Sequence, residues 1–474
     1  MRIDIPFCGP TYKSEVPFLT YQECINFYLR PYGEKMVLLG TPGLEEWVDL
    51  LVGDEVRGIL PFGDYLYIVN KDKFQKVDSG GNITDIGDVD LLRSSGQVGM
   101  ATNGVDIVMV AGVDGYVYDF ATETLVQIVD VDFPGGDNIV QIDGYYLVNN
   151  PGTGQIYRSD INDGSSWDGL AFSTAGGDPD YIISIITDHR DVWIIGEYTT
   201  EIWYNTGAPI FNFARIEGAF IDQGGTTHHS RTRINNAVYW LGQDYNGNMQ
   251  VFQAAGRQPI VISTPAISHQ ISQCVLSDVF MFSYQQLSHN FIVITFPTSK
   301  LTLVYDSTTS MWHERSSLVG GVDHRWRANC QALFKGEIIV GGFNDHKLYK
   351  VKTDVYTDGD SEMISTRTTG VIRESQNRIT VDEVHLLAEP AVGLIVGEDA
   401  EDVDPMAMFS WSKDGGRTFS AEVDIPLGKI GEYENRARIT QLGQGVNWVF
   451  RVRISAAVRR AILGAVMVVE KDDG

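Results

Sequence analysis

The sequence predicts an all-β protein built mainly from a repeated unit of strands, and three observations favour this fold class. Residues 181–207 contain three consecutive strand-like runs, rich in Ile, Val, Trp and Tyr and separated by turns at Asp, Arg, Gly and Thr. The chain has 49 glycines, as expected where turns are frequent. A similar apolar run recurs along most of its 474 residues.

The repeat predicts the architecture. Seven times a turn residue is followed by an apolar run, and these runs begin at Tyr65, Ile107, Tyr145, Val192, Ala237, Phe291 and Ile338. A second, aromatic-marked strand follows in each copy, near Phe74, Tyr116, Ile156, Ile202, Val251, Leu303 and Leu348. A period of about 45 residues made only of strands is typical of a β-propeller, in which each four-stranded sheet buries its faces against its neighbours. We therefore predict a six- or seven-bladed β-propeller over residues 57–356.

The residues before the repeat carry little periodicity and are punctuated by Pro6, Pro10, Pro17, Pro31 and Pro42. We expect residues 1–56 to form an extended arm that lies on, or closes, the body that follows, with one short helix at 44–51. Within the repeat, the longest interval contains residues 256–270. This insertion either extends a blade or contacts a partner, or it is an ordinary fourth strand with a long connection, which is the favoured interpretation.

The spacing of strands changes after the repeat and predicts a C-terminal β-sandwich over residues 357–474. Strands are predicted at 379–387, 406–411, 436–441, 448–454 and 461–469. The acidic loop 398–404 could hold Ca²⁺, but it lacks the alternating spacing of a dedicated site, so a solvated loop is favoured.

Charge and cysteine content limit the possible functions. The chain has 62 acidic residues against 36 Lys and Arg, a formal net charge of −26. Such a surface repels DNA and anionic membranes because phosphate contacts need cations, although acidity that serves only solubility is the simpler explanation. Cys8, Cys24, Cys274 and Cys330 form no CxxC pair, so neither a zinc site nor a disulfide framework is predicted. With no apolar signal core at the N-terminus, we expect folding in a reducing cytoplasm and no membrane insertion.

One motif has a recognisable local structure. Residues 412–419 (SKDGGRTF) resemble the Asp-box of sialidases and other β proteins. In such a hairpin turn, Ser412 and Asp414 bond the turn backbone, Gly416 supplies a positive φ, and Phe419 packs beneath. Asp-boxes are structural, so this motif predicts a stable turn and no catalytic residue.

Other candidate residues receive structural interpretations. His228 and His229 are adjacent, and neighbouring strand residues point to opposite faces, so we interpret them as loop residues that do not share a metal ion. The alternating pairs Arg231/Arg233 and Arg325/Arg327 are interpreted as ion-paired at strand edges. No HExxH, P-loop, GxSxG or GxGxxG motif occurs. The sequence therefore predicts no catalytic, cofactor-binding or metal-binding residues, and no cofactor.

Five passages carry a family resemblance: 23–47 (ECINFYLRPYGEKMVLLGTPGLEEW), 192–218 (VWIIGEYTTEIWYNTGAPIFNFARIEG), 237–242 (AVYWLG), 261–267 (VISTPAI) and 291–315, which ends YDSTTSMWHER. In order, they resemble the tail-hub proteins of short-tailed, P22-like phages, the packaged DNA stabilization proteins. The resemblance implies a virion tail protein that is assembled in the host bacterial cytoplasm. It also implies a homo-oligomer, typically a hexameric ring, beneath the portal and its adaptor. Such a ring closes the DNA exit channel after packaging and anchors the tail needle, tailspikes or other tail proteins.

We therefore expect a structural protein that retains or passes DNA without specific binding. An acidic channel wall would let DNA slide without capture. Trp167 and Trp203 are candidate interface anchors, although buried blade aromatics are an equal alternative. The main rival is a β-propeller that binds or degrades glycans, which as an enzyme would need paired carboxylates at a defined separation. A cytosolic scaffold propeller is a third possibility.

Overall fold

The computed structural model describes residues 1–16, 20–90, 93, 95–177, 180–244, 246–374, 377–397 and 399–471. Pro17 in the predicted arm and Glu398 in the predicted acidic loop lie outside these residues. The described part of the chain forms 44 strands and two short helices. No helix in this part is long and apolar enough to cross a membrane.

The first six strands precede the repeat: β1 (Arg2–Ile5), β2 (Tyr12–Lys13), β3 (Tyr21–Ile25), β4 (Phe27–Tyr32), β5 (Lys35–Gly40) and β6 (Gly43–Asp49). Seven antiparallel sheets then follow in chain order as blades 1 to 7. Blade 1 contains β7 (Val56–Phe62), β8 (Tyr65–Asn70), β9 (Lys73–Asp78) and β10 (Ile83–Asp88). Blade 2 contains β11 (Gly99–Thr102), β12 (Asp106–Val110), β13 (Gly115–Asp119) and β14 (Thr124–Gln127). Blade 3 contains β15 (Ile139–Ile142), β16 (Tyr145–Asn149), β17 (Gln155–Asp160) and β18 (Asp163–Thr174).

The remaining blades have the same order of strands. Blade 4 contains β19 (Ile182–Asp188), β20 (Asp191–Gly196), β21 (Thr200–Asn205) and β22 (Phe213–Ile221). Blade 5 contains β23 (Arg231–Ile234), β24 (Ala237–Gln243), β25 (Met249–Ala255) and β26 (Gln258–Val261), and helix α1 (Pro265–Ser272) follows it. Blade 6 contains β27 (Phe280–Gln286), β28 (His289–Phe296), β29 (Leu301–Asp306) and β30 (Met311–Glu314). After the hairpin β31 (Ser316–Val319) and β32 (Val322–Arg325), blade 7 contains β33 (Ala328–Phe334), β34 (Glu337–Gly342) and β35 (Lys347–Lys352).

The blades close into a ring. The first strand of each blade contacts the first strand of the next, and β33 of blade 7 contacts β7 of blade 1. Seven buried apolar clusters lie between consecutive blades, the one at the closure joining Val56 and Leu66 to Ile339. The predicted β-propeller is therefore confirmed, with seven blades among the described residues.

The repeat in the sequence marks the second strand of each blade. β12 shows why, because every residue from Asp106 to Val110 is buried. A strand covered on both faces by neighbouring blades reads as a continuous apolar run, unlike the alternating pattern of a half-exposed strand.

The predicted helix at 44–51 is wrong. These residues form β6, the fourth strand of blade 7, which pairs antiparallel with β35 and places Leu44 opposite Val351 and Val48 opposite Leu348. The local sequence suits a helix as well as a strand. Pairing with an otherwise open blade edge decides between them, because tertiary contacts override weak local preference. The ring is therefore closed by a strand from the start of the chain.

The C-terminal strands are β36 (Thr357–Asp358), β37 (Ser361–Glu362), β38 (Ser365–Thr368), β39 (Ile379–Ala388), β40 (Met406–Ser412), β41 (Val423–Pro426), β42 (Arg438–Gly445), β43 (Val449–Ile454) and β44 (Ala461–Lys471), with the single-turn helix α2 (Ala400–Val403). The five strands predicted here are confirmed within a few residues at each end. They form two sheets, β4–β5–β44–β39–β42 with β1 on β44, and β3–β38–β43–β40–β41 with β2 on β3. The hairpin β36–β37 instead lies beside β6 of blade 7.

The segment expected to be an extended arm is shared between both halves of the protein. β1 to β5 complete the C-terminal sandwich, and Ile5, Phe27 and Leu38 lie in its core. β3 also pairs with β30, so the sheet of blade 6 continues into the sandwich. Several short strands at the start of the chain pair with strands near its end, β1 and β5 with β44 and β3 with β38, and such distant partners leave no clear pattern in the local sequence. The domain boundaries at residues 56 and 356 stay a prediction, since strand pairing does not measure which segments fold alone.

Candidate functional site

Polar side chains concentrate where the propeller meets the sandwich, and we call this region the joint. Asn26, between β3 and β4, has a φ of 53°, a conformation that Asn tolerates better than most residues. Its side-chain Nδ2 donates to the carbonyls of Ser316 (3.0 Å) and Ile364 (2.8 Å), and Ser316 N donates back to Oδ1 (3.0 Å). One carboxamide thus links the N-terminal segment, the propeller and the sandwich.

Buried arginines extend the joint. The Arg315 guanidinium, 2% exposed, donates to the Pro42 carbonyl (2.6 Å) and the Tyr284 hydroxyl (2.9 Å) and stacks on Trp326 at 3.6 Å. Burial lowers the pKa of Arg315. The Arg367 guanidinium is fully buried and bonds four oxygens of the N-terminal segment. These side chains fix the N-terminal segment against residues about 300 positions away through charge-assisted hydrogen bonds, which are stronger than neutral ones.

Arg327 connects blade 7 to the β36–β37 hairpin. Its guanidinium lies 2.9 Å from Asp345, 3.7 Å from Asp358 and 3.5 Å from Asp360. Burial alone would lower the pKa of Arg327, but the neighbouring carboxylates, Asp358 foremost, raise it above its usual value. Removing one partner of such a buried network leaves an uncompensated charge, so the network holds the two halves in one arrangement.

A cleft of about 330 Å³ between blade 6 and the sandwich brings carboxylates and arginines together. Lys13 Nζ lies 2.8 Å from Glu314 and 3.9 Å from Glu23, and Arg451 lies 3.9 Å from Glu23. Burial opposes the charge on Lys13, but Glu314 and Glu23 outweigh it and raise the Lys13 pKa. Both carboxylates are therefore engaged by cations, an arrangement that suits a structural ion-pair network better than a general acid and base.

Two groups of exposed apolar side chains lie on the surface, the second of them beside the β36–β37 hairpin, since Leu394 and Val396 line one cleft with residues 360–362. The blade patch comprises Val129, Val131 and Leu170, which are 84%, 96% and 74% exposed. Asp130 accepts a hydrogen bond from Trp167 N, so the loop that carries the two valines lies beside β18, which carries Leu170. The sandwich patch comprises residues 394–396, in which Ile395 is 78% and Val396 83% exposed.

The Asp-box turn forms as predicted. Ser412 Oγ donates to Asp414 Oδ1 (2.6 Å) and accepts from Gly416 N (2.9 Å), and Gly416 has a φ of 92°. Burial raises the pKa of Asp414, but hydrogen bonds from Ser412, Thr418 and the turn backbone outweigh it and hold the pKa below its usual range. Phe419 is half-buried beneath the Arg451 guanidinium, 3.6 Å from the ring centre. The motif acts as a structural turn.

The predicted arginine and histidine pairs have mixed outcomes. Arg327 is ion-paired as predicted, and Arg233 lies 3.5 Å from Asp188. Arg231 and Arg325 have no ion-pair partner among the residues that the structure describes, and they donate to the Ile185 carbonyl (3.0 Å) and to Asn329 Oδ1 (2.9 Å).

His228 and His229 lie in the connection before β23. His228 Nδ1 lies 2.8 Å from the Ile183 carbonyl, and its Nε2 lies 3.5 Å from Asp137. Burial, reinforced by Arg231, lowers the pKa of His229 well below its usual value. Across the described residues, no group of three His, Cys, Asp or Glu side chains is arranged to hold a metal ion.

Trp167 and Trp203 are not interface anchors. They are 4% and 3% exposed and lie on β18 and β21, in the clusters between blades 2 and 3 and between blades 3 and 4. The insertion 256–270 forms the ordinary fourth strand β26, together with helix α1, which the sequence did not predict. Ile267 and Ile271 of that helix are buried between blades 5 and 6.

Sequence analysis missed the residues of the joint. Arginine is usually exposed, so a lone Arg315 or Arg367 gives no signal of burial. Asn26, between two strand-like runs, was the one available hint, because Asn favours turns.

Comparison with known proteins places these features in a family. The model described as Bacteriophage P22 Gp10, beta-propeller, matches residues 25–356, and the model described as Bacteriophage P22 Gp10, beta-sandwich, matches residues 365–470. No curated protein sequence is significantly similar to the chain.

Solved structures are similar only at a low level. They include the computationally designed Ika8 protein (14% identity, covering 70% of this chain and 99% of that chain, TM-score 0.39). A second is PorZ of Porphyromonas gingivalis (9% identity, covering 73% of this chain and 44% of that chain, TM-score 0.40). A third is YCF48 bound to D1 peptide (11% identity, covering 66% of this chain and 98% of that chain, TM-score 0.40). None of these carries an argument about function. The two family matches together cover most of the chain, which therefore belongs to the bacteriophage P22 Gp10 family of structural phage tail proteins.

Proposed function

We propose that this protein is the tail hub that closes the DNA exit channel after genome packaging. Six copies would form a ring beneath the portal adaptor, retain the packaged DNA without binding it specifically, and anchor the tail needle, tailspikes or other tail proteins. Assembly would take place in the host bacterial cytoplasm. The observation that carries the proposal is the match of residues 25–356 and 365–470 to the two parts of one tail protein family.

The geometry of the joint supports a part that bears load. β6 closes the propeller, β1 to β5 complete the sandwich, and the sheet of blade 6 continues through β3. Force applied to the sandwich is therefore passed to the propeller through hydrogen-bonded strands and buried arginines. We propose the propeller (57–356) and the sandwich (357–474) as the two structural units, with residues 1–56 tying them together.

We propose the two exposed patches as contact surfaces within the tail. Large contiguous apolar surface is uncommon on monomeric soluble proteins and often marks an interaction site. The net charge of −26 supports the further proposal that the channel wall is acidic, so that DNA slides past it. The rival glycan-cleaving function gains no support from Glu314 and Glu23 in the cleft beside blade 6, because Lys13 and Arg451 engage these two carboxylates.

The test is assembly with portal–adaptor complexes of the same phage. We expect the purified chain to add six copies to each complex by native mass spectrometry, and to restore DNA retention to particles assembled without it. A chain that stays monomeric and leaves DNA release unchanged would refute the hub function. Turnover of host surface polysaccharide in the same preparation would favour the glycan-cleaving alternative.

Variants locate the contacts. Ile395→Ser combined with Val396→Ser should leave the thermal unfolding midpoint unchanged, since both side chains are exposed, and should reduce copy number in the complex. Leu333→Ser, at a leucine 62% exposed on blade 7, is the matched control. If the double variant and the control assemble equally, the sandwich patch is not a contact surface in the complex. The hub function itself is tested by assembly of the wild-type chain.

A further inference from the structure

A cavity of about 170 Å³ lies at the centre of the propeller. Its walls come from the inner edges of blades 1, 2, 5, 6 and 7, and its polar lining consists of Gln97, His229, Arg231, Asn329 and Gln331. The first and last blades of the ring therefore both face it. None of the carboxylates described by the structure lines this cavity.

Arg231 is a half-buried cation with few partners among the described residues. Its Nε donates to the Ile185 carbonyl at 3.0 Å, and no carboxylate among the described residues lies within 4 Å of its guanidinium. Burial lowers the pKa of Arg231 to about 10, which still leaves it charged at neutral pH. The part of the guanidinium that the Ile185 carbonyl does not engage can donate charge-assisted hydrogen bonds to an anion in the cavity.

One further polar atom of the cavity lining also lacks a partner within the described structure. His229 Nε2 is buried and has no hydrogen-bond partner. Arg325 does not line the cavity, but it donates to the lining residue Asn329 and so adds a positive charge close to it. A buried polar group that lacks a partner is costly, so a ligand that hydrogen-bonds His229 Nε2 gains by filling the cavity.

The local charge is positive although the whole chain is strongly acidic. Arg57, on blade 1, adds a cation whose donors are all directed at backbone carbonyls. Among the nearby acids, Asp137 pairs with Arg93, and Glu55 accepts from the lining residue Asn329 Nδ2 at 2.9 Å, so that Glu55 offsets one of these positive charges. The centre of the propeller is thus a cationic pocket, and its volume admits a small ion but is well below the roughly 300 Å³ typical of larger ligands.

We propose that this cavity binds a small tetrahedral oxyanion of the phosphate class, with Arg231 as its counter-ion and His229 as a second donor. The bound ion would link the first two blades to the last three, across the point where the ring closes. An ion that binds only the closed ring stabilises it by mass action.

The test is titration of the full chain with inorganic phosphate at constant ionic strength, followed by calorimetry. We expect one phosphate per chain. Arg231→Gln should weaken binding by about 10- to 100-fold, the range for one charge-assisted hydrogen bond. Arg233→Gln is the matched control, because Arg233 lies on the same strand but is half-exposed and paired with Asp188, and it should bind phosphate as the wild type does.

Two results would overturn the proposal: a wild-type chain that binds no phosphate at 10 mM, the upper limit of the titration, or equal binding by the two variants. If Arg231→Gln does not fold, Arg231→Lys keeps the charge while losing the planar fork, and we expect about tenfold weaker binding. Phosphate should also raise the thermal unfolding midpoint of the wild type, and should raise it less in His229→Phe. An equal rise in the midpoints of the wild type and His229→Phe would show that His229 does not contribute to phosphate binding.

Discussion

Replacing Arg367 with methionine should release the N-terminal segment from the sandwich. Arg367 lies on β38, is fully buried, and donates to the carbonyls of Phe7 (2.7 Å), Pro10 (3.0 Å) and Glu23 (3.1 Å) and to Gln22 Oε1 (2.9 Å). Methionine keeps the aliphatic stem and removes every donor.

The magnitude follows from these contacts. Each buried acceptor that loses its donor costs roughly 1–3 kcal/mol. Part of that cost is returned because the guanidinium no longer has to be desolvated. We therefore expect Arg367→Met to lower the free energy of unfolding by about 3–5 kcal/mol, the range for breaking a buried charged interaction.

The assay is urea unfolding followed by tryptophan fluorescence, together with hydrogen exchange of residues 1–25. Arg453→Met is the matched control, since Arg453 lies on the adjacent β43 in a partly exposed pair with Glu422 at 3.0 Å. Such a pair contributes at most about 1 kcal/mol. The reasoning is refuted if both variants unfold alike, or if residues 1–25 of Arg367→Met exchange as slowly as in the wild type.

Three further predictions concern the closure, the Asp-box turn and the thiols. Leu44→Ala should destabilise the propeller by about 2–5 kcal/mol in urea unfolding because Leu44 is 1% exposed on the closing strand, whereas Glu45→Ala on the same strand should change little. Asp414→Asn should cost about 1–2 kcal/mol at pH 7. The folded pKa of Asp414 lies below its unfolded value of about 3.9, so the stability that its charged form contributes is present above that pH and is lost as the pH falls towards the folded pKa. The difference in free energy of unfolding between the wild type and Asp414→Asn should therefore be smaller at pH 3 than at pH 7. Burial raises the pKa of Cys24 to about 12 and also raises that of Cys330. A thiol reagent at pH 8 should therefore label the half-buried Cys8 and Cys274 before these two, as peptide mass spectrometry would show.

The blade strands were predictable because their burial is local. The second and third strands of each blade are covered by the adjoining blades, so runs such as 107–110 are apolar without interruption. Turn residues between them then fix the spacing. The first and fourth strands are less uniformly buried, as in β14 with its exposed residues, and the sequence marked few of them, such as β19 in blade 4.

Side-chain exposure was less predictable than strand position. Trp203 is buried because its indole donates to Glu201 Oε2 at 2.7 Å, and Glu201 is itself buried by tertiary packing. Arg231 and Arg233 are two residues apart on one strand, yet one lines the central cavity and the other forms a surface ion pair. The spacing of two residues along a strand shows whether their side chains lie on the same face of the sheet, but it does not show which residues cover that face.

The sequence by itself determined the all-β class, the repeat, the sandwich strands, the Asp-box turn and the family resemblance, since each depends on residues close together in the chain. Only the tertiary structure decided how the ring closes, which half of the protein the first 50 residues complete, and where the arginines are buried. Those outcomes depend on contacts such as Leu44 with Val351 and Arg367 with Phe7, between residues about 300 positions or more apart. Short strands and single charged residues carry too little local preference to specify such partners before the chain has folded.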